Sequence, residues 1–177
     1  TKYATIDANS GLFTGIKAGN SVIRYTVSSN GCTTEKTITV TVKPLPVVSG
    51  ITGATNVCVG VTIPLSNVTP AGVWSSSDPL VATVNGSGVV TGVKAGAVSI
   101  LYIVTSGGCS NTSTTAIAVN ALPIVAPIIG NTTFCSGNTS QLTCATPNGT
   151  WASSNPTAVT LDQNGLITGA SAGTSIV

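Results

Sequence analysis

With 177 residues, the chain is long enough for one or two domains of ordinary size. Charged residues make up 6% of it, the net charge is +2 and histidine is absent, whereas a typical soluble domain is roughly 25% charged. That balance excludes the basic footprint of nucleic-acid or anionic-membrane binding. It also leaves little for acid–base or metal chemistry, and 42% hydrophobic residues exclude a disordered charged tail.

A repeat sets the order of the elements. Cys32 and Cys109 lie 77 residues apart, as do Cys58 and Cys135, Trp74 and Trp151, Tyr25 and Tyr102, Pro46 and Pro123, and Pro79 and Pro156. The stretch ATIDANSGLFTGIKAG from Ala4 returns from Ala82 as ATVNGSGVVTGVKAG, and from Ala158 as AVTLDQNGLITGASAG. Copy boundaries fall at the proline-bearing stretches Lys43–Gly50 and Asn120–Pro127, where proline supplies a stiff, extended connection without a ladder donor. Residues 1–43 are then the back of one Ig-like copy, 44–120 a complete copy and 121–177 the front of a third. Without an initiator Met or a signal-peptide pattern, the chain is expected to be a window on a longer covalent array. The two flanking parts together exceed one repeat by 23 residues, a poor fit for exchange of strands between separate chains.

Within the complete copy the pattern predicts strands at Val47–Thr52, Val57–Leu65, Val73–Ser75, Val81–Val84, Val89–Val93, Ala97–Thr105 and Thr112–Val119. Turn-forming Ser-Asp-Pro, Asn-Gly-Ser-Gly, Lys-Ala-Gly and Ser-Gly-Gly-Cys separate them. About seven short strands per 77-residue copy predict an all-β chain of tandem Ig-like β-sandwiches. Ile100, Tyr102 and Val104 stay apolar where Ile23, Tyr25 and Val27 stand one repeat earlier, so this alternate face is expected in the core. The opposite face changes from Arg24 and Thr26 to Leu101 and Ile103, which makes those two candidates for lateral contact. Trp74 and Trp151, on the third strand, are expected in the core beside Tyr25 and Tyr102.

The run W-S-S-S-D-P-x-V-A-T-V-x-x-x-G-V-V-T-G-V-K-A-G, followed by an Ile-x-Tyr strand, resembles the bacterial immunoglobulin-like domain, group 2. The resemblance covers residues 44–120 fully and both flanks in part. It implies tandem spacers of bacterial surface proteins and adhesins. The Cys-x-Gly and Gly-Cys elements resemble Ig-like repeats in long secreted surface proteins of the Bacteroidetes, which implies export and an extracellular, cell-surface location.

The acids read as turn formers. Asp7 aligns with Asn85 and Asp162, and Asp78 with Asn155. An Asx turn accepts either side chain, whereas a general acid or calcium ligand does not. No cofactor, metal site or catalytic residue is expected, since no histidine accompanies the many hydroxyls. Asn-x-Ser/Thr sequons at Asn67, Asn85, Asn111, Asn131, Asn138 and Asn148 follow from a Thr- and Asn-rich composition.

Two cysteines per copy point to disulfides and an oxidising compartment. The candidates are Cys58, Cys109, Cys32 and Cys135, with Cys144 an extra. The simplest pairing is Cys58–Cys109 within the complete copy. In an Ig-type sandwich, however, the first and last turns lie at opposite poles, and Cα atoms must approach within about 7 Å. Staples between domains and free thiols remain alternatives. Function is then expected to be that of a structural spacer in an extracellular adhesin or filament. The chain would not be an enzyme, and its partners would be neighbouring copies in a fibre or bundle. A glycan- or protein-binding module, or an accessory domain of a secreted enzyme, is the alternative.

Overall fold

In the computed structural model, which describes residues Lys2–Val177, every regular element is a β-strand. Two units meet at the Ala121–Leu122 bond. The first carries β1 (Ala4–Ile6), β2 (Phe13–Gly15), β3 (Gly19–Ser29), β4 (Cys32–Val42), β5 (Thr52–Gly53), β6 (Asn56–Cys58), β7 (Thr62–Ser66), β8 (Gly72–Ser76), β9 (Ala82–Val84), β10 (Val89–Gly92), β11 (Gly96–Ser106) and β12 (Cys109–Asn120). The second carries β13 (Ile128–Ile129), β14 (Thr139–Gln141), β15 (Thr143–Cys144), β16 (Val159–Leu161) and β17 (Leu166–Gly169).

Strands β5 to β12 form the complete sandwich. One sheet has the order β5-β7-β10-β9 and the other β6-β12-β11-β8. Between them lie Val57, Leu65, Ala82, Val90, Val98, Ile100, Ile117 and Val119, with Trp74, Val81 and Val84 packed against the cluster. Ile100 and Ile117 are fully buried, and each such side chain contributes on the order of 2 kcal/mol by its removal from water. The alternation predicted for Ile100, Tyr102 and Val104 holds, since all three are buried.

Two predicted strands differ from the observed ones. The single run Val57–Leu65 divides into β6, which pairs parallel with β12, and β7, which pairs antiparallel with β10. The chain passes from one sheet to the other at Gly60, whose φ of 80° is open to glycine at no steric cost. The predicted strand Val47–Thr52 shrinks to Thr52–Gly53. Side chains replace the ladder there: Ser49 N donates to Thr69 Oγ1 at 2.9 Å, and Asn67 Nδ2 donates to Ser49 O at 2.7 Å.

The repeat is visible in register. In β3–β4, Gly19 pairs with Val42 and Ser29 with Cys32. In β11–β12, Gly96 pairs with Val119 and Ser106 with Cys109, the same positions one repeat later. Each hairpin closes through two residues of positive φ, Asn30–Gly31 and Gly107–Gly108, the conformation whose twist matches that of the strands. The two hairpins differ in what covers them. Strands β3 and β4 form a sheet of their own, and the sheet that lies against it among the described residues is the short β1–β2 pair, whose Gly15 approaches Val42 at the far end from the hairpin turn. Tyr25 is therefore 74% exposed instead of sitting in a core, whereas Tyr102 is 6% exposed.

In the second unit, β13 pairs with β15, and β14-β17-β16 form a three-stranded sheet. Residues around Trp151 form no strand, although the matching residues around Trp74 form β8. The reason is the ladder partner: β8 exists by pairing with β11, and no described strand takes that place beside Trp151. Both tryptophans are half-buried, so they border their cores and do not lie fully inside them.

Candidate functional site

Four groups of residues could carry a function: the outer face of the β6-β12-β11-β8 sheet, the linker beside the β11–β12 turn, the cysteines, and a cleft beside Trp151 in the second unit. On the outer face, Leu101 pairs with Thr114 and Ser75, and Ile103 with Thr112 and Val73. Leu101 and Ile103 are half-buried by these neighbours, and Val73 is 67% exposed. No charged side chain belongs to these ladder positions. The matching face of β3–β4 is charged instead, with Arg24 Nη1 3.3 Å from Glu35 Oε2. That ion pair is well exposed and contributes little to stability.

The linker is bonded to the sandwich. Lys43 Nζ donates to Gly107 O at 2.9 Å, and Asn111 Nδ2 donates to Pro46 O at 2.9 Å. Gly107 lies in the β11–β12 turn with φ 58°, and the lysine stem lies alongside it. Residues 43–46, which have no strand partner, are thereby held at that turn. Sequence reasoning missed this clamp. Asn111 was legible only as a sequon, and Thr34, its counterpart one repeat earlier, carries no signal.

The cysteines do not form the simplest predicted pair. All five are free, with Cys32 and Cys135 exposed and Cys58, Cys109 and Cys144 half-buried. Cys58 is the ladder partner of Asn120 at the last residue of β12, and Cys109 is the first residue of β12. At about 3.3 Å per residue the two ends of that strand are roughly 36 Å apart, far beyond the ~7 Å limit for a disulfide. Cys144 Sγ donates to Ala126 O at 3.4 Å.

The carboxylates do what the repeat comparison predicts. Asp7 Oδ1 accepts from Ser10 N at 2.8 Å, Ser10 Oγ at 2.8 Å and Asn9 N at 3.1 Å. Asp162 Oδ1 accepts from Leu166 N at 2.8 Å and Asn164 N at 2.9 Å. Asn85 Oδ1 closes the same turn by accepting from Ser87 N and Val89 N. The Ser10 N–H, aided by the Ser10 hydroxyl and the Asn9 N–H, holds the Asp7 carboxyl below its ordinary pKa. The Leu166 N–H does the same for Asp162. Among the described residues no group of three or more His, Cys, Asp or Glu is gathered to hold a metal.

A cleft of about 390 Å³ in the second unit is lined by Trp151 with Leu142, Thr146, Asn148 and Asn164. Gly165 packs against the indole ring of Trp151, where a Cβ would meet it at 3.0 Å. Gly88 stands in the same relation to Trp74. No described helix is long and apolar enough to cross a membrane.

Among known proteins, the chain is similar to ice-binding protein 1 of Shewanella frigidimarina (strain NCIMB 400), with 33% identity over 128 residues. That match covers 64% of this chain and 14% of the relative, so the chain spans about one seventh of the relative's length. Among solved structures it is similar to domains 1–6 of the surface layer protein SbsC, at 22% identity and a TM-score of 0.30, covering 94% of this chain and 22% of that one. It is also similar to a SusE-like surface-located polysaccharide-binding protein from the Bacteroides thetaiotaomicron heparin utilisation locus, at 16% identity and a TM-score of 0.39. That alignment covers 95% of this chain and 36% of the other. Residues 36–116, the stretch that holds all of β5 to β11 and most of β12, match the family described as bacterial Ig-like domain (group 2).

Proposed function

We propose that the chain is a structural spacer segment of a long extracellular adhesin or surface filament, acting mechanically and not as an enzyme. The observation that carries this reading is the linker clamp: Lys43 and Asn111 bond the proline-bearing linker to the turn of the sandwich that follows it. A spacer transmits length only where its joints resist bending, and proline with two side-chain hydrogen bonds restricts the joint. Spin labels at Ser28 and Ser87, on a background with all cysteines changed to serine, report on that joint. A narrow distance distribution that broadens in Lys43→Ala/Asn111→Ala is the expected result. A wild-type distribution already as broad as the variant's defeats the reading.

Lateral contact belongs to the same proposal. Ten formal charges on 177 residues protect the surface poorly against association, and the uncharged face of Leu101, Ile103 and Val73 is the place where neighbouring copies would meet in a fibre or bundle. A second reading, a glycan- or protein-binding module, is favoured by the cleft that holds the half-buried Trp151 beside Thr146, Asn148 and Asn164. Binding of the chain to a glycan array, lost in Trp151→Ala, would favour it over the spacer.

A further inference from the structure

The two kinds of cysteine occupy opposite poles of the repeat. Cys58 sits beside Asn120, where β12 ends and the chain leaves the sandwich. Cys109 sits beside the β11–β12 turn, at the other end of β12. The linker from the preceding copy arrives at this second pole, because Lys43 Nζ reaches Gly107 O and Asn111 reaches Pro46 O.

The repeat then places a partner. Lys43 is the residue that corresponds to Asn120, one repeat earlier. Asn120 has Cys58 as its ladder neighbour, so a Cys58-type residue of a preceding copy would be the ladder neighbour of Lys43, about 4.8 Å away across the strands. Lys43 itself is within one lysine side chain of Gly107, two residues from Cys109. Burial agrees. Cys109, beside a turn where Lys43 and Pro46 are bonded, is half-buried, whereas Cys32 at the same hairpin position is exposed.

We propose that each Cys58-type thiol forms a disulfide with the Cys109-type thiol of the next copy, so that the joints of the array are stapled covalently. This rests on the reading of the chain as an array of copies. Two thiols lose two protons and two electrons, which pass to a small-molecule disulfide by exchange: the first thiolate displaces one thiol from it, and the second thiolate attacks the mixed disulfide and releases the other. The staple would close a loop through the linker and fix the joint that the Lys43 and Asn111 hydrogen bonds already restrain.

The test extends the 177-residue chain by a second copy of residues Leu101–Asn120, which gives the third repeat its own hairpin and a Cys109-type cysteine. Because the array is supplied by the extension, failure would count against the staple and not against the spacer reading. After equilibration with glutathione disulfide, peptide mapping should link Cys58 to the added cysteine, with two fewer free thiols. The link should be absent in Cys58→Ser and in Cys58→Ser/Val59→Cys, where the thiol points to the other face. The proposal is overturned if Cys58 remains fully alkylated in the folded, oxidised chain, or if it links indifferently to Cys32, Cys144 and the added cysteine.

Discussion

Cys58 and Cys109 stand at opposite ends of one strand: Cys109 opens β12 and Cys58 is the ladder partner of Asn120, which closes it. No side-chain rotamer bridges that length. Oxidative refolding of the 177-residue chain should therefore yield no Cys58–Cys109 peptide in a non-reducing map, and reducing agent should leave the midpoint of thermal unfolding of the sandwich unchanged. A Cys58–Cys109 link in folded monomer would contradict the strand order.

Tyr102 ties two parts of the sandwich together through its hydroxyl. Oη donates to Thr69 O at 2.6 Å and accepts from Gly72 N at 3.0 Å, and its ring stacks at a tilt on Trp74 with centroids 4.7 Å apart. Tyr102→Phe keeps the ring and removes both bonds. It should cost about 1–2 kcal/mol in denaturant unfolding, part of it from the orphaned Gly72 N–H. Tyr25→Phe, one repeat earlier and exposed, should change stability within measurement error.

Backbone conformation gives a paired prediction of opposite sign. Ala71 has a φ of 60°, and Asn148 holds the same repeat position with a φ of 61°. Alanine in that region costs about 1–2 kcal/mol, whereas asparagine tolerates it. Ala71→Asn should therefore stabilise the first unit by up to about 1 kcal/mol. Gly88→Ala should destabilise it by at least about 2 kcal/mol, because φ is 81° and the new Cβ would lie 2.6 Å from Leu65 O and 3.0 Å from the Trp74 ring. Urea midpoints of the two variants check both signs.

The outer sheet face predicts concentration-dependent association. Leu101→Arg with Ile103→Thr restores the residues found at Arg24 and Thr26. Sedimentation should show weaker self-association in the double variant, with an unchanged unfolding midpoint. An unglycosylated wild-type chain that stays monomeric at high concentration defeats lateral assembly.

Acid should loosen both units through Asp7 and Asp162. Their folded pKa values lie below the ordinary carboxylate value, so the stabilisation is complete above the ordinary Asp pKa of about 3.9. It is lost as pH falls from there through the depressed folded values, because the unfolded chain takes up the protons first. Asp7→Asn/Asp162→Asn keeps the turn, as Asn85 does, and should flatten this acid dependence in unfolding measured between pH 5 and pH 2, with little change near neutrality.

The sequence by itself determined the repeat, the all-β class, the alternation that buries Ile100, Tyr102 and Val104, and the role of Asp7, Asp162 and Asn85 as turn residues. These follow from local rules. A strand alternates its side chains with period two, an Asx turn closes over a few residues, and the repeat displays the same choice more than once. Only the tertiary structure decided the rest. Whether Tyr25 is buried depends on a facing sheet, and whether Trp151 lies on a strand depends on a ladder partner; neither is encoded at those positions. The switch at Gly60 and the separation of Cys58 from Cys109 depend on which sheet each strand joins. Likewise the clamp of Lys43 and Asn111 joins residues more than sixty positions apart, and such a contact leaves no periodic trace in the chain.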